Sequence, residues 1–231
     1  MGRINANTMK NCREVVIVEV CRTPYGKAGG KLKEYTAIEL GAMAIQEVLR
    51  RTNGAVKPED VDYLFMGQVV PAGCGQVPGR SAAILGGIPE HVPLITVNKV
   101  CSSGVKTIDL AIQMIQLGRA EICIVGGQES MSNCPYLLPE MRRGVRMGLP
   151  SRPVVDSMVY DGLWDPFYDR HMAIHGSEVA DEFGFTRLDQ DKWAYHSQMA
   201  AKEAIESGNL SPDTTQRIAW KSNKIYLESV E

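Results

Sequence analysis

Leu94-Ile95-Thr96-Val97-Asn98-Lys99-Val100-Cys101-Ser102-Ser103-Gly104 decides how this chain reads. Leu94 to Val97 reads as a short buried strand. A tight turn follows, and a helix begins at or just after Cys101. Val105, Ile108, Ile112 and Ile115 put an apolar stripe on one face of that helix. The spacing predicts a helix from about Ser102 to Leu117, stopped by Gly118.

The same alternation extends outward in both directions. Downstream, Ile122 to Val125 is strand-like and ends at Gly126-Gly127. Upstream, Tyr63 to Met66 is a strand ended by Gly67, and Arg80 to Leu85 a short helix. Thr36 with Glu39 three residues on forms a capping box, ahead of a helix with Ile38, Ile45, Val48 and Leu49 on one face. Val15 to Val20 is β-branched and predicts one more buried strand. The glycines of Gly26 to Gly30 fit neither a dinucleotide fingerprint nor a P-loop, and read as a turn. Continuous apolar strands between amphipathic helices predict a layered α/β fold, with the sheet covered on both faces.

The pattern changes after about Cys134. Pro135, Pro139, Pro150, Pro153, Gly144 and Gly148 mark a long irregular segment that also carries Arg142, Arg143 and Arg146. Two helical stretches follow, His171 to Phe183 and one opening at Thr186. The expected division is an N-terminal α/β domain over 1–133, a helical and loop-rich part over 134–211, and a tail of uncertain fold over 212–231.

The chain has 231 residues, 44% hydrophobic and 23% charged, with formal net charge −2. That is long enough for a real core and too apolar for disorder. The near balance of charge excludes a nucleic-acid surface or a polybasic membrane patch. No apolar run approaches the roughly 20 residues of a spanning helix. The N-terminal residues lack an apolar signal region, and Ala6 stands where a myristoylation signal wants Ser or Thr. The six cysteines form no C-x-x-C pair and read as reduced thiols, which points to a cytoplasmic protein.

Among these thiols Cys101 is the candidate nucleophile. A helix start exposes unpaired N–H groups and the positive dipole end, and both favour a thiolate. The alternative is a buried structural cysteine at a strand–helix junction. His171 and His175 have metal-ligand spacing, but Met172 stands where H-E-x-x-H needs Glu and no third ligand is evident, so no metal is expected.

Asn98 to Gly104 resembles the acyl-enzyme cysteine motif of thiolases, the family of acetyl-CoA acetyltransferases and 3-ketoacyl-CoA thiolases. Arg22-Thr23-Pro24 is similar to the family's N-terminal signature, as are Gly67-Gln68-Val69 and Gly75 to Arg80. Gly126-Gly127-Gln128-Glu129-Ser130-Met131-Ser132 resembles its G-G-x-E-x-M-S segment. Asp161 to Asp165 and His171-Met172 look like the start of the loop domain that embraces coenzyme A. The resemblance spans about Glu14 to Leu210. It implies the layered thiolase fold and a ping-pong acyl transfer in which Cys101 becomes acylated and its backbone N–H helps bind the oxyanion. Acetyl-CoA and acetoacetyl-CoA are the favoured substrates, and coenzyme A is a substrate or product rather than a cofactor. The resemblance places Leu163, His171 and Met172 along the coenzyme A tunnel, and implies a homodimer or homotetramer, with Ser132 to Pro153 in subunit contacts.

The family's G-H-P base, C-x-G acid and N-E-A motifs do not occur in this sequence, and His175-Gly176-Ser177 stands where the family usually has T-A-E. The resulting expectation is an N-terminal thiolase portion that does not turn over by itself. The rival expectations are a truncated subunit that only associates with a full-length partner, and a related ketoacyl synthase.

Overall fold

A computed structural model describes residues 13–144, 147, 153–207, 218–221 and 224–227. The chain forms two compact units, residues 1–20 with 26–135, and residues 21–25 with 136–231.

The first unit is built on a parallel three-stranded sheet of order β2-β1-β3, with β1 Tyr63–Gly67, β2 Leu94–Val97 and β3 Cys123–Gly127. Leu64 aligns with Leu94 on one side and Ile124 on the other. Parallel strands need crossovers, and the helices supply them: α2 Pro78–Leu85 joins β1 to β2, and α3 Ser103–Gln116 joins β2 to β3. Helix α1, Ala37–Arg51, begins with the expected Thr36–Glu39 capping box. Ile45 of α1, Ala82 and Ala83 of α2, and Leu64 and Met66 of β1 share one core with Val61, Ile88 and Val92. Strand alternation turns Phe65 and Gly67 to the other face, where a Cβ on Gly67 would meet the backbone of Ser103 and Gly104 at the start of α3. The sheet therefore lies between α1/α2 and α3.

Two sequence expectations need correction here. Val15 to Val20 is not a buried strand: among the described residues it pairs with no strand, and Val16, Ile17 and Val18 are 68–72% exposed. A β-branched run fits a sheet surface, but it becomes a strand only where a ladder accepts it, and the sheet order β2-β1-β3 does not include it. The stripe Val105, Ile108, Ile112, Ile115 is not the face of α3 that packs on the sheet. The buried residues of α3 are Ser103, Thr107 and Ala111, while Val105 and Ile108 are exposed. The close approach to Gly67 admits only small side chains. The end of α3 follows its expectation: Gly118 has φ +67, its N–H donates to Ile115 O, and Arg119 N–H donates to Met114 O.

The second unit contains two short antiparallel pairs, β4 Tyr136–Leu137 with β5 Val155–Asp156, and β6 Trp164–Asp165 with β7 Arg170–His171. Helix α4, Ser157–Gly162, is capped by Asp156 Oδ1, which accepts from Met158 N–H at 2.9 Å. Helices α5 Met172–Glu182 and α6 Arg187–Glu206 match the two expected helical stretches, and α6 has its own Thr186–Asp189 capping box. No residue of either helix is buried. Within the tail, β8 Ile218–Lys221 and β9 Lys224–Leu227 form an antiparallel pair. Cys12, Arg146, Gly148 and Pro150, and the rest of 212–231, lie outside the described residues. No helix among the described residues is long and apolar enough to cross a membrane.

Candidate functional site

Cys101 sits in the first unit, in the turn between β2 and α3, two residues before the helix begins. Val100, directly before it, has φ +49, a conformation that L residues rarely adopt. Asn98 Oδ1 accepts the Val100 N–H at 2.9 Å. Ser103 is buried, and its Oγ accepts the Lys99 N–H at 2.8 Å and donates to Val100 O at 2.6 Å. These bonds wrap the turn around the cysteine. Cys101 itself is exposed, and its N–H donates to no acceptor among the described residues. A free thiol and a free amide N–H on one residue suit attack on a carbonyl and stabilisation of the oxyanion that results.

The other described cysteines, Cys21, Cys74, Cys123 and Cys134, are partly buried. Burial first, and then the Asp62 carboxylate, push the Cys123 thiol up to about 11, which keeps it protonated near neutral pH. Cys74 Sγ accepts from Gln68 Nε2 at 3.4 Å.

The ends of the three strands converge beneath the Cys101 turn. Gln128 Nε2 donates to Gln68 Oε1 at 2.9 Å, and both side chains are buried. Glu129 Oε2 accepts the Val69 N–H at 2.7 Å. Desolvation raises the Glu129 carboxyl above the usual range, and the Val69 and Val70 N–H groups oppose that shift. Asn98 Nδ2 donates to Val69 O at 2.9 Å, so residue 69 is held at both its N–H and its carbonyl.

Leu163, His171 and Met172 all fall in the second unit, and the structure brings them together. Met172 N–H donates to Leu163 O at 2.9 Å, and Trp164 pairs with His171 across the β6–β7 hairpin. His171 caps α5, its Nδ1 accepting the Ala173 N–H at 3.1 Å. A neutral imidazole that accepts at Nδ1 carries its proton on Nε2, so His171 offers a donor rather than a base. His175 is bonded at Nδ1 and faces a carboxylate at Nε2, without hydrogen-bond geometry there. Arg170 Nη2 donates to Nδ1 at 3.2 Å, and Nε2 lies 3.0 Å from Asp165 Oδ2. The Phe167 N–H holds the Asp165 carboxyl below its usual range, helped by the Tyr168 N–H and by His175. The His171–His175 spacing therefore serves a cap and an ion-pair cluster. Among the described residues no group of three His, Cys, Asp or Glu side chains is placed to hold a metal.

Asn98, Glu129 and the Gln68–Gln128 pair are candidate-site residues that the motifs alone do not mark as chemistry. Asn98 did carry a local signal, since a short amide two residues before a strained position commonly accepts that residue's N–H.

The family described as Thiolase, N-terminal domain matches residues 15–217. The chain belongs to the thiolase family. The thiolase chain is 48% identical over 200 residues to the acetyl-CoA acetyltransferase of Cupriavidus necator, covering 87% of this chain and 50% of that protein. It is 45% identical over 203 residues to the acetyl-CoA acetyltransferase of Pseudomonas aeruginosa, 88% of this chain and 51% of that one. It is 43% identical over 201 residues to a probable acetyl-CoA acetyltransferase of Escherichia coli, 87% of this chain and 50% of that one. The chain thus spans about half the length of the curated relatives it matches. Its α/β layering and parallel sheet are those of a thiolase N-terminal domain. The family match extends beyond Leu210, where the motif resemblance ends.

Proposed function

We propose that this chain carries the acylation half of a thiolase-type acyl transfer, with Cys101 as acyl acceptor. The observation behind the reading is the Cys101 turn, which leaves an exposed thiol and an unengaged N–H on one residue of a thiolase chain. The relatives are acetyl-CoA acetyltransferases, which favours acetyl-CoA and acetoacetyl-CoA as acyl donors. With acetyl-CoA the Cys101 thiolate attacks the thioester carbonyl, and a Sγ–C bond forms while the Cys101 N–H donates to the oxyanion. The bond from that carbon to the coenzyme A sulfur then breaks. Coenzyme A leaves as a thiolate and takes a proton from water. With acetoacetyl-CoA the thiolate attacks the 3-keto carbonyl instead, the C2–C3 bond breaks, and acetyl-CoA leaves as its C2 carbanion and takes a proton from water. Leu163, His171 and Met172 form the coenzyme A-facing group, with His171 Nε2–H as a donor toward it. The working enzyme is a cytoplasmic homo-oligomer.

Returning the acyl group to coenzyme A needs a base for the incoming thiol. General acid–base help is worth about 10²–10⁴-fold, and the engaged imidazoles of His171 and His175 do not provide it. The chain by itself is therefore acylated without sustained turnover. The assay follows the acetoacetyl-CoA enolate absorbance with free coenzyme A, for the parent and Cys101→Ala. A single equivalent of acyl group retained on Cys101, with no continuing loss of absorbance, is the expected result. Many turnovers abolished by Cys101→Ala would place the base within this chain and overturn the half-reaction reading.

A further inference from the structure

We propose that Asn98 is a positioning residue for Cys101, holding the turn so that the thiol and the Cys101 N–H meet one thioester carbonyl together. The proposal rests on the reading of Cys101 as acyl acceptor.

Both ends of the Asn98 amide are committed. Oδ1 accepts from Val100 N–H and Nδ2 donates to Val69 O, each at 2.9 Å. Rotating the amide by half a turn would set NH₂ against an N–H and oxygen against a carbonyl, so its orientation is fixed. The first bond matters because Val100 is β-branched and sits at φ +49, which its own sterics oppose. Ser103 Oγ and the Ser103 N–H fix the other side of Val100 through its carbonyl, at 2.6 and 3.0 Å. Val100 is thus clamped at both its N–H and its C=O, and the next N–H in the chain is that of Cys101.

The second bond ties this clamp to the sheet. Val69 lies just past β1, Asn98 just past β2 and Glu129 just past β3. Glu129 accepts the Val69 N–H at 2.7 Å while Asn98 donates to the Val69 carbonyl, so the backbone of one residue connects all three strand ends to the turn. The position of Cys101 is then set by the rigid sheet and not by the loop.

Asn98, Val100 and Cys101 are all exposed. Loss of surface side chains changes global stability little, so the effect of Asn98 belongs in the chemistry of Cys101. Alkylation by iodoacetamide needs only the sulfur. Acetylation by acetyl-CoA also needs the N–H aimed at the oxyanion, and misplacement of a reacting group by about 1 Å costs on the order of 10²-fold.

The test compares the parent with Asn98→Ala and Asn98→Ser. Three quantities are measured: single-turnover acetylation of Cys101, alkylation of Cys101 and Cys74 by iodoacetamide, and the melting curve. Asn98→Ala is expected to slow acetylation about 10- to 100-fold, slow Cys101 alkylation far less, and leave Cys74 labelling and melting unchanged. Asn98→Ser keeps an oxygen able to accept the Val100 N–H, and is expected between the two; it carries the test if the alanine variant does not fold. Acetylation of both variants at the parental rate would overturn the proposal. So would acetylation and alkylation of both cysteines changing together in step with the melting temperature, since that is a general structural effect. A parent that alkylates at Cys101 but is never acetylated would overturn the acyl-acceptor reading itself, and the proposal with it.

Discussion

Gly67→Ala tests the packing that carries Cys101. The glycine closes β1, and a Cβ there would lie 2.8 Å from the Ser103 carbonyl carbon and 2.9 Å from the Gly104 nitrogen. Both are backbone atoms of the first turn of α3 and cannot rotate away. The helix start must retreat from 2.8 Å to about 3.4 Å, an ordinary contact distance. Ser103 is buried and anchors Lys99 and Val100, so the Cys101 turn moves with it. Overpacking of this kind costs about 1–3 kcal/mol, which lowers the melting temperature of a chain this size by roughly 2–12 °C. Gly104→Ala is the control. A Cβ at Gly104 meets nothing within 4 Å, its φ is not positive, and it lies inside α3. Alanine there should stabilise by about 0.5–1 kcal/mol. Thermal unfolding followed by circular dichroism should therefore move in opposite directions for the two variants. Coincident melting curves for Gly67→Ala and the parent would refute the claim that α3 rests directly on the end of β1.

Two further outcomes follow from the first unit. Glu47 is 2% exposed and accepts from Arg50 Nε and Arg51 Nε, both at 2.7 Å. The Arg50 bond foremost holds its carboxyl below the usual range, so its contribution is present above the ordinary glutamate range and is lost as pH falls toward the lowered value. Glu47→Gln should cost about 1.5 kcal/mol at pH 7, and parent and variant denaturation midpoints should converge in acid; a gap that persists at low pH would contradict the pairing. With limiting iodoacetamide on folded protein, mass mapping should find Cys101 labelled ahead of Cys74, Cys134 and above all Cys123, whose thiol is pushed up to about 11. Preferential labelling of a partly buried cysteine with Cys101 untouched would remove the basis for the nucleophile.

Features that depend on nearby residues could be read from the sequence. The Thr36–Glu39 and Thr186–Asp189 capping boxes, the Gly118 stop and the three paired strands each rest on a few neighbouring positions. The failures depend on partners distant in the chain. The propensity of Val15 to Val20 for strand cannot show whether a ladder has room for it. The stripe on α3 marked its most apolar residues, but contact with Gly67 gives the sheet side to Ser103, Thr107 and Ala111. At the candidate site the cysteine was legible from its motif. The support was not, because Glu129 reaches Val69 across 60 positions, and Asn98 reaches the same residue across 29. His171 was legible as a position but not as a helix cap, which depends on where α5 begins.

The central claim is that Cys101 accepts an acyl group, and the most direct test is the mass of the protein after incubation with acetyl-CoA. One acetyl group per chain should appear on the peptide containing Cys101 and be retained when free coenzyme A is added, and it should be absent from folded Cys101→Ala. A folded parent that acquires no acetyl group, or acquires it equally in Cys101→Ala, would contradict the account.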